Sequence, residues 1–158
     1  MRKWLLSLLF GGCASAQVVS IATGSPVPVG NYAADQYFTG GTARPLDTTI
    51  GDGIYQTTRF GTNFSYHIPV PVGIYLVVLR LSDPTSTGVG QRSFAVTVNG
   101  NTTAPIDLFS LAGARTPYAL QLIAVAGAGF VDLAFKSMVG NATVSGIDIY
   151  PYPVVVTQ

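Results

Sequence analysis

The chain has one histidine, His67, in the segment FSYHIPVP, and seven aspartates with no glutamate. A Ser–His–Asp arrangement would have to draw on His67 together with an aspartate from elsewhere. No Gly-x-Ser-x-Gly elbow accompanies it, and a lone strand histidine reads first as a half-buried structural residue. Glycoside hydrolysis calls for two carboxylates in contrasting environments, and no pair of aspartates is marked by local context. A metal held by His67 and aspartates is equally unmarked. Calcium on backbone and aspartate oxygens stays open, because such sites leave little trace in sequence. The expectation is a protein without catalysis.

A different chemistry gathers in two stretches, YAADQYFTGGT (32–42) and IYQTTRFG (54–61), which hold three tyrosines, two phenylalanines, Asp35 and Arg59. Sugars present weakly polar C–H faces rimmed with hydroxyls. Flat aromatic rings suit the face, and Asp, Asn, Gln or Arg suit the rim. The plainer reading is that most of these rings fill a core. Tyr55 and Phe38 are assigned to the core, and Tyr37 and Phe60 to the surface. Asp35 and Arg59 either pair and brace the loop or bond to hydroxyls; bracing is preferred, because a charge leaving water needs a partner.

The elements that must position these residues read as strands. SFAVTVNG (93–100) puts Phe94, Val96 and Val98 on one face and ends in an Asn99-Gly100 hairpin turn. GIYLVVLRL (73–81) is apolar on both faces, as a central strand would be. FVDLAF (130–135) turns Val131, Leu133 and Phe135 inward and Asp132 outward. In VSGIDIY (144–150), Ile147 and Ile149 face in and Asp148 out. YALQLIAV (118–125) is a further strand closed by the turn at 126–129, and Pro69 and Pro71 mark a strand end or an edge. The tail from 151 to 158 is either a last strand or loose. No segment reads as helix, so the expected fold is all-β, an antiparallel sandwich or jelly roll.

Residues 1–16 carry a basic start, a short apolar run and an Ala14-Ser15-Ala16 cleavage pattern, which reads as a signal peptide too short to span a bilayer. A single domain over 17–158 follows. Cys13 offers a lesser alternative, a lipid anchor. Cleavage after Ala16 leaves no cysteine and six cationic residues against seven aspartates, a net charge of −1. That balance gives no basic footprint for nucleic acid or for a membrane surface. Three N-x-S/T sequons begin at Asn63, Asn101 and Asn141; a glycan on Asn141 would crowd the candidate site.

The motifs IATG (21–24), YAADQYFTGGT, IYQTTRFG, FSYHIPVPVGIYLVVLRLSD (64–83), GQRSFAVTVNG (90–100) and VGNATVSGIDIY (139–150), in that order, resemble a malectin or malectin-like domain from about Ser20 to Tyr150. The resemblance implies a jelly-roll, galactose-binding-like β-sandwich that binds carbohydrate, with a glucose-type oligosaccharide as partner and no cofactor. It carries the sugar contacts onto Phe60, which follows the Arg of the YQTxR motif, and onto Tyr37. Asp83 ends the strand before the family's Tyr-Phe pair, whose positions here are Thr85 and Ser86. The ligand aspartate falls around Gly140, beside Asn141. Phe60 in place of tyrosine loses a hydroxyl contact of roughly 0.5–1.5 kcal/mol. Two missing rings remove a further ~1–3 kcal/mol, so binding is expected to be about ten- to a thousandfold weaker. The competing expectation is an extracellular structural or self-assembling module that keeps the fold and has lost the sugar site.

Overall fold

The computed structural model describes residues 18–46 and 50–153. The signal-peptide segment, Cys13 and the end of the tail, residues 154–158, lie outside those residues. Ten strands follow in chain order: β1 Val19–Ala22, β2 Phe38–Pro45, β3 Thr57–Pro69, β4 Gly73–Leu81, β5 Ser93–Val98, β6 Asn101–Thr102, β7 Tyr118–Ala126, β8 Phe130–Val139, β9 Ala142–Val144 and β10 Gly146–Pro151. They form two antiparallel sheets. One has the order β1-β10-β4-β7, and the other β2-β3-β8-β5-β6 with β9 pairing the first part of β3. This is a jelly-roll β-sandwich.

Period-2 alternation builds the space between the sheets. Val77, Leu79, Leu81, Ile147 and Ile149 project from one sheet, and Phe64, Tyr66, Ile68, Val96, Val131, Leu133 and Phe135 from the other; all are buried. Phe64 stacks on Phe135 with ring centres 4.6 Å apart. β4 is central between β10 and β7, as its two-sided apolar pattern requires. Asn99 and Gly100 take φ of +44° and +88° in the turn that pairs Val98 with Asn101, the geometry an Asn-Gly hairpin favours. β3 ends at Pro69, where no ladder donor is needed.

Two expectations are corrected. A five-residue helix α1, Leu108–Ala112, does form, and the Asp107 carboxylate caps it by accepting from the Ser110 N–H; its brevity hid it from any periodicity. Asp148 does project from the side of β10 opposite Ile147 and Ile149, but it is fully buried. A second small core of Ala22, Ile50, Ile54 and Tyr55, with Val29 and Tyr32 packed on it, covers that face. Beneath it Asp148 accepts from Arg80 Nε at 2.8 Å, from the Tyr32 hydroxyl at 3.0 Å and from the Ser20 hydroxyl at 3.0 Å. Alternation shows which side of a strand a residue takes, and the loops decide whether that side is wet.

Candidate functional site

Arg59 and Phe60 are consecutive on β3, so their side chains leave opposite faces of the strand. That single fact divides the residues singled out in the sequence into two groups.

On the Arg59 side everything is tied. Arg59 Nη2 and Nε lie 2.8 and 2.9 Å from Asp35 Oδ2, and its Nη1 donates to the Gly40 carbonyl at 2.9 Å. The other Asp35 oxygen accepts the Tyr66 hydroxyl at 2.9 Å, and Oδ2 also takes the Gly24 N–H at 2.6 Å. Gly24 has φ +78°, and an added Cβ would stand 2.2 Å from the Thr58 carbonyl oxygen, so only glycine fits. Burial, then the negative Asp35, push the Tyr66 hydroxyl far above its ordinary pKa. The bracing role holds. Phe38 corrects its assignment to the core: it is 42% exposed on edge strand β2, with the Arg59 guanidinium carbon 3.4 Å above its ring centre. A cavity of about 500 Å³, bordered by Phe38, Ala43, Pro26, Arg59 and Arg44, opens beside it.

On the Phe60 side lies a smaller pocket of about 150 Å³, lined by Phe60, Thr58, Pro84, Thr85, Asn141, Thr143, Arg44 and Arg92. β9 positions the far wall, because Phe60 pairs with Thr143 and the Thr58 and Thr143 hydroxyls bond at 2.6 Å. The turn at Gly140, φ +66°, presents Asn141. Arg92 forms the back of the pocket. Its Nη2 donates to the Thr85 hydroxyl at 3.0 Å, its Nη1 to the Asn141 carbonyl, and its Nε lies 3.1 Å from Asp83 Oδ2. That last contact is a charge attraction without hydrogen-bond alignment, since neither atom has a directional partner. Asp83 is fully buried, so it orders the 83–92 loop and does not face a ligand. Burial raises its pKa, but the Ser86 hydroxyl and N–H, with the Arg92 charge, outweigh burial and hold the carboxyl below its ordinary value. Arg44 completes the rim, its guanidinium carbon 4.8 Å from the Phe60 ring centre.

Tyr37 stands in neither group. It is 44% exposed with φ +64°, and its carbonyl accepts the His67 N–H at 2.9 Å. Phe60 is seven residues from His67 along β3, which at ~3.3 Å per residue is roughly 20 Å; one sugar ring cannot touch both. Tyr55 is buried, as assigned. His67 corrects the half-buried reading. Its side chain is 62% exposed on the outer face, stacked on Phe130 at 4.1 Å and bonded through Nδ1 to the outward-facing Asp132. Among the described residues no group of three or more His, Cys or Asp side chains gathers as for a metal ion, and no helix is long and apolar enough to cross a membrane.

Sequence reasoning missed Arg44 and Arg92. Both lie in quoted or neighbouring segments, but only the pairing of Arg44 with Thr58 brings the first beside Phe60. Nothing local marks the second.

The fold defines an antiparallel jelly-roll β-sandwich, and the comparisons agree. The malectin domain model matches residues 20–153, and the chain belongs to that family. Two kinesin-like proteins of Arabidopsis thaliana, KIN-14R and KIN-14Q, are 30% and 28% identical to 78% and 82% of this chain. The chain spans only 12% and 11% of their length. Among solved structures, the ANXUR2 extracellular domain of Arabidopsis thaliana superposes with a TM-score of 0.73 at 16% identity, covering 88% of this chain and 49% of that one. A Bacteroides uniformis beta-glucuronidase gives 0.69 at 16% identity, covering 85% and 18%. At such identities these two speak for the fold alone.

Proposed function

We propose that this protein is a secreted, non-catalytic carbohydrate-binding module, taking one unit of a glucose-type oligosaccharide at the Phe60 pocket. The observation that carries the reading is the composition of that pocket. A half-buried aromatic ring, Phe60, lies in one pocket with the exposed Thr85 and the half-buried Asn141, the pairing of flat face and polar rim that a sugar asks for. At about 150 Å³ it is smaller than the 300–1,000 Å³ typical of small-molecule sites, which fits one ring with the remainder of the glycan in solvent. Absence of catalysis is supported by the state of the buried carboxylates: Asp35, Asp83 and Asp148 are each committed to an arginine. The extracellular setting of a malectin-like neighbour is in keeping with the export signal read in residues 1–16.

Calorimetric titration with gluco-oligosaccharides tests the reading. Binding is expected to be weak, and Phe60→Ala should weaken it at least about tenfold, a ring contact being worth ~1 kcal/mol or more. Unchanged affinity in that variant would remove the site assignment.

One observation favours a second reading, self-assembly. β7 is an edge strand of nine residues without a charge, a proline or a bulge; its Ile123 and Val125 are exposed, as is Ile74 on the neighbouring β4. Natural edges of that length are ordinarily protected. β2, by contrast, is bulged between Gly40 and Thr42 and ends in Arg44 and Pro45. Light scattering decides between them: a strict monomer at high concentration removes the second reading, and a dimer broken by Ile123→Lys supports it.

A further inference from the structure

Ion pairs account for three of the six arginine and lysine side chains among the described residues, and Arg44, Arg115 and Lys136 enter none. Arg59, Arg80 and Arg92 each meet a buried aspartate, and His67 meets Asp132. Arg44 enters no ion pair among the described residues; it is exposed, and its guanidinium rests over the Phe60 ring. The described lining of the same pocket includes no carboxylate, because Asp83 is sealed behind Arg92 and the amide of Asn141 stands near where the family resemblance puts an acid.

We propose, resting on the sugar-binding reading of this pocket, that it selects a saccharide carrying an anionic substituent, with Arg44 as the residue that determines specificity. A neutral sugar that stacks on Phe60 must displace the guanidinium from the ring and gives it no new partner, so the cation–π attraction is lost. A sugar bearing a carboxylate or sulfate offers the displaced fork two parallel oxygens, the geometry that guanidinium meets best. The exposed stem of Arg44 lets it swing to the rim while the ring face is taken. Arg92, held at the back by Asp83, Thr85 and Asn141, has its charge compensated by the Asp83 carboxylate, which leaves the preference to Arg44. A carboxylate in the lining would cancel this preference.

The test is calorimetry at low and at 0.5 M-scale salt with three disaccharides of one backbone: cellobiose, its glucuronic-acid-terminated analogue, and a sulfated cellobiose. At low salt, at least one anionic sugar should bind roughly fivefold or more tighter than cellobiose, the scale of a single well-oriented ion pair at a surface. The ratio should shrink in high salt and fall to about one in Arg44→Gln, with partial return in Arg44→Lys. Whichever anionic sugar is favoured identifies the substituent. Equal affinity for all three overturns the inference and leaves the sugar-binding reading standing. A preference that survives Arg44→Gln overturns the role of Arg44. Failure of all three to bind overturns the inference and the reading together.

Discussion

At the residue scale, the charged side chains divide by what has already claimed them. Asp35, Asp83 and Asp148 are taken out of water and each is compensated by a guanidinium plus hydroxyl or amide donors. Such a pair adds little net stability, but removing one partner strands the other. Asp148→Asn should therefore lower stability by about 2–4 kcal/mol in urea unfolding, leaving Arg80 and the Tyr32 hydroxyl without their anion. A loss below about 0.5 kcal/mol would show that the covering loops admit water. The bracing of Asp35 by Arg59 was legible in the sequence, because two opposite charges in an apolar setting have few other options. The burial of Asp148 was not: an aspartate between two isoleucines on β10 reads as solvent-facing, and only the second core around Tyr55 and Ile54 reverses that.

At the element scale, strands β4, β5, β7, β8 and β10 could be read directly from their apolar patterns and turn residues, since their inner faces are filled by apolar side chains. β2 could not. FTGGTARP is exposed throughout and bulged, and it belongs to the sheet only through its pairing with β3. The candidate site suffers from the same blindness. The motifs point to Phe60 and Asn141, which the structure brings to one pocket, and equally to Tyr37, which lies at the far end of the β2–β3 pair. Consecutive residues on a strand never share a face, so a motif that names Arg59 and Phe60 together names two different surfaces.

At the scale of the whole molecule, stability should depend on pH at both extremes, because buried groups differ from their unfolded counterparts. Burial and the neighbouring Asp148 push the Tyr32 hydroxyl up to about 12 from 10.0, and Tyr66 rises further for the same two kinds of cause. A raised folded pKa gives stability that is complete below pH 10 and is lost as the pH climbs toward 12. Asp83 has the opposite sign: its lowered pKa gives stability present above the unfolded value of 3.8 and lost as the pH falls through the folded one. Urea midpoints measured from pH 2 to 12 should form a plateau between about 4 and 10, with Tyr32→Phe flattening part of the alkaline fall. An alkaline fall unchanged in Tyr32→Phe would mean that this hydroxyl ionises in the native state without cost.

The central claim is that a sugar docks at the Phe60 end of the sandwich. Amide chemical-shift mapping of the labelled protein during titration with a glucose-type oligosaccharide tests it most directly. The account predicts that the largest changes fall on Phe60, Thr85, Asn141 and Thr143. Changes confined to Tyr37 and the outer face around His67, with the Phe60 pocket silent, would contradict it.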